Sequence, residues 1–181
     1  KDMLNMLKYR DYLNFGERYI RYAEKDGINS SNSEWLLIPS IILAWTAIES
    51  FVNNRLFDYG SLPEGKFELH ERAFLLERKI KFIDSGTKLG SFILEGNEYK
   101  RLEDKIFFLI SKFSSKKEKD LKGKSLWQNF QEFKTLRDNI LHPRTDKDME
   151  IDINKVKKHI DTSKNIIQLI SKHLWAKKVE F

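Results

Sequence analysis

Apolar residues recur mostly every three or four positions along this chain, the period of amphipathic helices, with short polar stretches between them. Tyr12, Phe15, Tyr19 and Tyr22 predict a first helix over roughly residues 3 to 25, flanked by Arg10, Arg18 and Arg21 and stopped at Asp26-Gly27. A second helix, roughly Glu34 to Tyr59, is apolar almost all round through Leu37, Ile41, Trp45, Ile48, Val52 and Leu56. It is expected to be the most buried element, with Pro39 kinking its first turns. After the break at Gly60 to Gly65, Leu69, Ala73, Leu76, Ile80 and Ile83 predict a third helix, and Leu102, Ile106, Leu109 and Phe113 a further one. Ser114 to Lys124 reads as a polar, charged loop without a core-forming pattern. A helix from Ser125 carries Leu126, Phe130, Phe133 and Ile140, and a last one runs through Ile153, Val156, Ile160, Ile167, Ile170 and Leu174, interrupted at Ser163.

These elements predict an all-α fold, a single domain over residues 1 to 181 with a charged loop at about 114 to 124 and no internal repeat. Three prolines and eight glycines are few for a strand-and-turn architecture, and 40% hydrophobic residues suffice for one core. The absence of cysteine excludes disulfides, thiolate metal sites and a cysteine nucleophile, and fits a cytoplasmic protein held together by packing. The run Trp35 to Ile48 contains Pro39 and meets Glu49, so it reads as a core helix rather than a membrane span, and the first residues lack a signal-peptide pattern.

A formal charge of +6 favours a polyanionic partner such as nucleic acid, or else marks a solvated basic face. The tyrosine and arginine residues of the first helix have two readings in the same way: a platform for RNA bases, or a core stripe at helical spacing. The loop from Ser114 to Lys124 either grips phosphate or simply links helices.

The most informative stretch is Leu136 to Arg144, sequence LRDNILHPR. Arg137 takes a position in the apolar spacing where a core residue would otherwise stand, so it is expected to point inward and to need a partner. Glu49, among Ala47, Ile48, Phe51 and Val52, is the candidate, either as a structural ion pair or as an orienting group for catalysis. An uninterrupted helix turns about 140° and rises about 7.5 Å over five residues, which would make Arg137 and His142 face apart. Pro143 changes this, because its ring disfavours helical geometry at residue 142 and ends the helix, letting the imidazole turn toward the guanidinium. A group titrating near neutrality beside a fixed cation suits phosphodiester cleavage: the histidine moves protons and the arginine holds the phosphate. The other reading of His142 is a helix-terminal residue that caps the last carbonyls and is favoured by the helix dipole.

Arg137-Asp138-Asn139-Ile140-Leu141-His142 resembles the arginine, polar residue, spacer, histidine motif of HEPN domains, and Ala44 to Asn53 resembles the alanine-rich, glutamate-bearing helix that packs on the motif helix in that superfamily. The resemblance implies an antiparallel up-and-down helical bundle with additional helices, dimerised so that two motifs meet. It also implies a metal-independent endoribonuclease, without cofactor, that leaves 2′,3′-cyclic phosphate and 5′-hydroxyl ends. His142 and Arg137 would be its catalytic pair, Asp138, Asn139, Arg144 and Glu49 its supporting or substrate-binding residues, and RNA its partner. Some members are toxins or defence effectors restrained by an antitoxin or other inhibitory protein. The tyrosine that some toxins of this superfamily carry two positions after the histidine is absent: Pro143 and Arg144 follow His142, so its modification is not expected, and Arg144 instead offers a phosphate contact. The alternative is a non-catalytic helical module that binds RNA or protein. His70, His159 and His173 lie amid charged residues without metal-ligand spacing and are expected at the surface.

Overall fold

The computed structural model describes residues 8 to 25, 33 to 143, 151 to 176, 179 and 181. These residues are mostly helical. The helices are α1 (Tyr9–Lys25), α2 (Ser33–Gly60), α3 (Leu69–Leu75), α4 (Leu102–Phe113), α5 (Glu118–Lys122), α6 (Ser125–Leu141) and α7 (Ile153–Trp175), and between α3 and α4 lie β1 (Arg78–Phe82) and β2 (Phe92–Asn97). Two compact units emerge, one of residues up to Phe51 together with those from Ile110 onward, the other Val52–Leu109, so that the boundary falls inside α2 and α4.

The first unit is held by the apolar faces of α1, α2, α6 and α7. Ile41, Ala44, Ala47 and Ile48 of α2, Phe130 and Phe133 of α6, and Val156, Ile166, Ile167 and Ile170 of α7 are fully buried. Asp152 caps α7, its carboxylate accepting from the backbone N–H groups of Asn154 and Lys155. Small residues set a close crossing. The Ser40 hydroxyl donates to the Gly16 carbonyl at 2.8 Å, and a Cβ on Gly16 would lie 3.3 Å from the Ser40 carbonyl and 3.6 Å from Ile160 Cδ1. Glycine therefore lets α1 approach α2 and α7 at once.

The buried face of α1 is Leu13, Gly16, Ile20 and Ala23, which corrects the reading of the aromatic stripe as core: Phe15 and Tyr22 are exposed, Tyr12 and Tyr19 half-buried. The charged stretch after α4 is not all loop, since α5 forms there and buries Leu121. The helix α2 continues unbroken through Pro39 and past Glu49. By length and composition Trp35–Gly60 is thus long and apolar enough to cross a membrane, with half of its most apolar stretch buried within the protein.

In the second unit, the helix expected from Leu69 to Ile83 stops at Leu75. Glu77 adopts φ 51°, a left-handed conformation that helices do not continue through, and the chain turns into the antiparallel β1–β2 hairpin. Ile80 pairs with Leu94 and Phe82 with Phe92, a period-two alternation that competes with the helical spacing of Leu76, Ile80 and Ile83.

Glu77 also ties the hairpin down. Its Oε1 accepts from the Lys105 ammonium and from the Lys100 backbone N–H, both at 2.9 Å, while its carbonyl accepts from the Glu98 N–H at 2.7 Å. Lys105 is buried and donates as well to Asn53 Oδ1 at 2.9 Å. A buried ammonium left without its carboxylate is costly, so Glu77→Ala is expected to lower the unfolding free energy by about 3 kcal/mol. Lys105→Met, which removes the charge together with its need for a partner, is expected to cost less. Urea denaturation of the two variants checks the order.

Candidate functional site

Helix α6 buries Trp127, Phe130, Phe133, Leu136 and Ile140 and ends where Pro143 requires. His142 is its C-cap, at φ −136° and ψ 60°, with its backbone N–H donating to the Asp138 carbonyl at 2.9 Å and its side chain exposed. The expected helix end is therefore observed at the expected residue.

Arg137 stands beside this end, its side chain 29% exposed rather than enclosed. Its Nη1 donates to Asp138 Oδ1 at 2.8 Å, and its guanidinium carbon lies 5.6 Å from the centroid of the Trp45 ring, within cation–π range. The expected ion pair with Glu49 does not form among the described residues. Glu49 instead accepts from the Trp45 indole Nε1 at 2.8 Å, because the indole N–H, itself nearly buried, claims the carboxylate four residues along its own helix. Arg137 and Glu49 thus meet the same tryptophan, one through its π face and one through its N–H.

Trp45 binds α2 to α6 from both sides. It stacks on Phe130 at 5.3 Å and 13° and meets Phe133 edge-on at 5.3 Å. The residues Ala44 to Glu49 and the helix of Arg137 and His142 are therefore packed together through one indole.

Arg137 and His142 occupy the last turns of α6 but share no hydrogen bond among the described residues. Asn139 is half-buried there, and Arg144 lies outside the described residues. No three His, Cys, Asp or Glu side chains converge on a metal position among the described residues. Two depressions open elsewhere on this unit, one of about 560 Å³ between Leu126 and Leu169, the other of about 360 Å³ beside Arg21 and Lys157. Neither is lined by the motif.

His159, expected at the surface, is fully buried on α7 and stacks on Phe133 at 4.8 Å and 11°. Its spacing from Val156 and Ser163 places it on the apolar seam, a signal that the neighbouring Lys157 and Lys158 obscure. Neither ring nitrogen has a hydrogen-bond partner among the described residues, so the imidazole serves as an aromatic core residue. Burial, reinforced by Lys155 and Lys158 and opposed by Glu132, pushes its pKa down to about 4. His173 is shifted downward too, by partial burial and then by Lys172, Lys116 and Lys124. His70 is exposed beside Glu68, as expected.

Compared with known proteins, the chain matches no family model, no curated protein and no solved structure.

The depressed pKa of His159 fixes a pH dependence. The folded state keeps the imidazole neutral to about pH 4, whereas the unfolded chain takes up its proton near the ordinary histidine value of 6.5. Stability from this residue is complete above that value and falls between about pH 6.5 and 4, by about 3 kcal/mol in total. His159→Phe keeps the stack and removes the ionisation. Thermal melting at pH 7 and at pH 5 is expected to separate wild type more than the variant, with His173 giving both a smaller slope of the same sign.

Proposed function

We propose that this chain is a metal-independent endoribonuclease of HEPN type, acting as a homodimer in the cytoplasm and restrained by an inhibitory protein partner, in the manner of a toxin or defence effector. The observation that carries the reading is the packing of the two segments on which the resemblance rests: Trp45 of α2 lies between Phe130, Phe133 and Arg137 of α6. The cap at His142 supports it further, because it leaves the imidazole accessible at the end of the helix that carries Arg137.

In this reading the RNA 2′-hydroxyl attacks the adjacent phosphorus. The bond to the 5′-oxygen breaks, giving a 2′,3′-cyclic phosphate and a 5′-hydroxyl. One proton leaves the attacking hydroxyl and another must reach the departing oxygen, tasks that one imidazole does not perform at once in a single protonation state. A second copy of His142 in a dimer supplies the missing acid or base. Arg137 holds the phosphate and its developing charge, with the Trp45 face and Asp138 fixing the guanidinium in place. Asn139 and Arg144 contribute contacts to the RNA, and Glu49 acts indirectly by orienting Trp45.

One observation favours the non-catalytic alternative. The charge of Arg137 already has a carboxylate partner in Asp138, as a purely structural arginine would.

Cleavage of an RNA pool in EDTA separates the two. Wild type is expected to generate cyclic-phosphate ends, and His142→Ala and Arg137→Ala are each expected to lose at least about 100-fold in rate while keeping their helical circular dichroism. Retained cleavage in His142→Ala sinks the assignment of that residue. A pure wild-type protein that cuts nothing, together with an Arg137→Ala protein that only melts earlier, establishes the structural alternative.

A further inference from the structure

The outward face of α1 joins aromatic and cationic side chains that the described residues leave exposed. Phe15 is 38% and Tyr22 53% exposed, seven residues apart on one side of the helix, with half-buried Tyr12 and Tyr19 bordering them. Their separation along the axis is about 10 Å. Arg18 and Lys25 are exposed on the adjoining strip, and the Arg18 guanidinium carbon lies 5.6 Å from the centroid of the Phe15 ring, whereas Arg21 lies farther round, with Glu17 and Glu24 at the depression beside Lys157.

Charge on this helix is sorted by face. Glu17 and Glu24 are turned toward α7, where they pair with Lys164 and Lys157. Asp11, near the helix start, accepts from the Lys8 backbone N–H. The solvent side thus retains basic residues beside open rings, while Leu13, Gly16, Ile20 and Ala23 take the packing. A core-facing stripe would bury these rings.

Aromatic rings on which bases stack, next to cations that follow a phosphate backbone, are the two requirements for holding a single strand of nucleic acid. We propose that this face of α1 binds single-stranded RNA through Phe15 and Tyr22, with Arg18 and Lys25 on the phosphates. The choice of RNA rests on the ribonuclease reading above; the choice of a single strand rests on the rings, which a paired duplex could not cover by stacking.

The test is binding of a fluorescein-labelled 2′-O-methyl oligouridine of about fifteen nucleotides, a length within the range of single-strand sites, by fluorescence anisotropy with the full chain. The 2′-methyl group blocks cleavage and so separates binding from chemistry. Phe15→Ser/Tyr22→Ser is expected to weaken binding about 30-fold, the loss of two modest base stacks, and Phe15→Tyr/Tyr22→Phe to restore it. Arg18→Gln/Lys25→Gln is expected to flatten the salt dependence, and serves as a second probe should the serine variant melt early. Undiminished binding by the serine and glutamine variants, or no binding by wild type, overturns the proposal. Binding of wild type to vesicles containing phosphatidylserine but not to the oligonucleotide also overturns it, in favour of a lipid surface. Cleavage of ordinary RNA in EDTA keeps the two readings distinct: cutting with indifferent α1 variants removes this surface alone, whereas ring-dependent binding without cutting removes the nuclease alone.

Discussion

The first unit depends on one buried indole. Trp45 must fill the space between α2 and α6, find an acceptor for its N–H and present a face to a cation, and each demand fixes a different neighbour. The two phenylalanines come from α6, the acceptor from α2 itself, and Phe133 passes the stack on to His159 of α7. Three helices are thereby set by contiguous aromatic contacts whose geometry tolerates little slippage, since ring pairs lose their advantage when offset or distance changes. The end of α6, where Arg137 and His142 stand, takes its position from that column.

Much of the helical framework was legible in the order of apolar residues, because amphipathic period and burial act together in α6 and α7, and α2 is apolar almost all round. The end of α6 was legible too, as Pro143 restricts the residue before it by sterics alone. The hairpin was not. Leu76, Ile80 and Ile83 suit a helix, Ile80 and Phe82 suit a strand, and the decision came from the left-handed turn at Glu77 and its ties to Lys100 and Lys105. Five residues with a single apolar member, as in α5, carry no period that could announce a helix.

The site shows the same division. That Arg137 would require partners followed from its place in the apolar spacing, but which partners did not. A neighbour one residue away and the face of an aromatic ring leave no mark in sequence spacing, so Glu49 looked better placed than it is. His159 was hidden for the opposite reason. Surrounding lysines suggested solvent, while its own position faced Phe133, and a neutral imidazole substitutes for a hydrophobic ring when no proton is required of it.

The hairpin between α3 and α4 is a sheet of only two strands, with every residue of β1 exposed. Its edges carry the unpaired backbone groups that invite another strand, and nothing in a two-stranded ladder hides them. Arg78 and Lys79 lie along β1, with Lys81 beside them paired to Glu95, so a second copy approaching edge to edge through that strand would set like charges against one another. The repulsion acts through solvent and weakens as ionic strength shortens its reach. Among the described residues, a strand edge open to self-templating is thus guarded by a charge whose strength the surrounding salt sets.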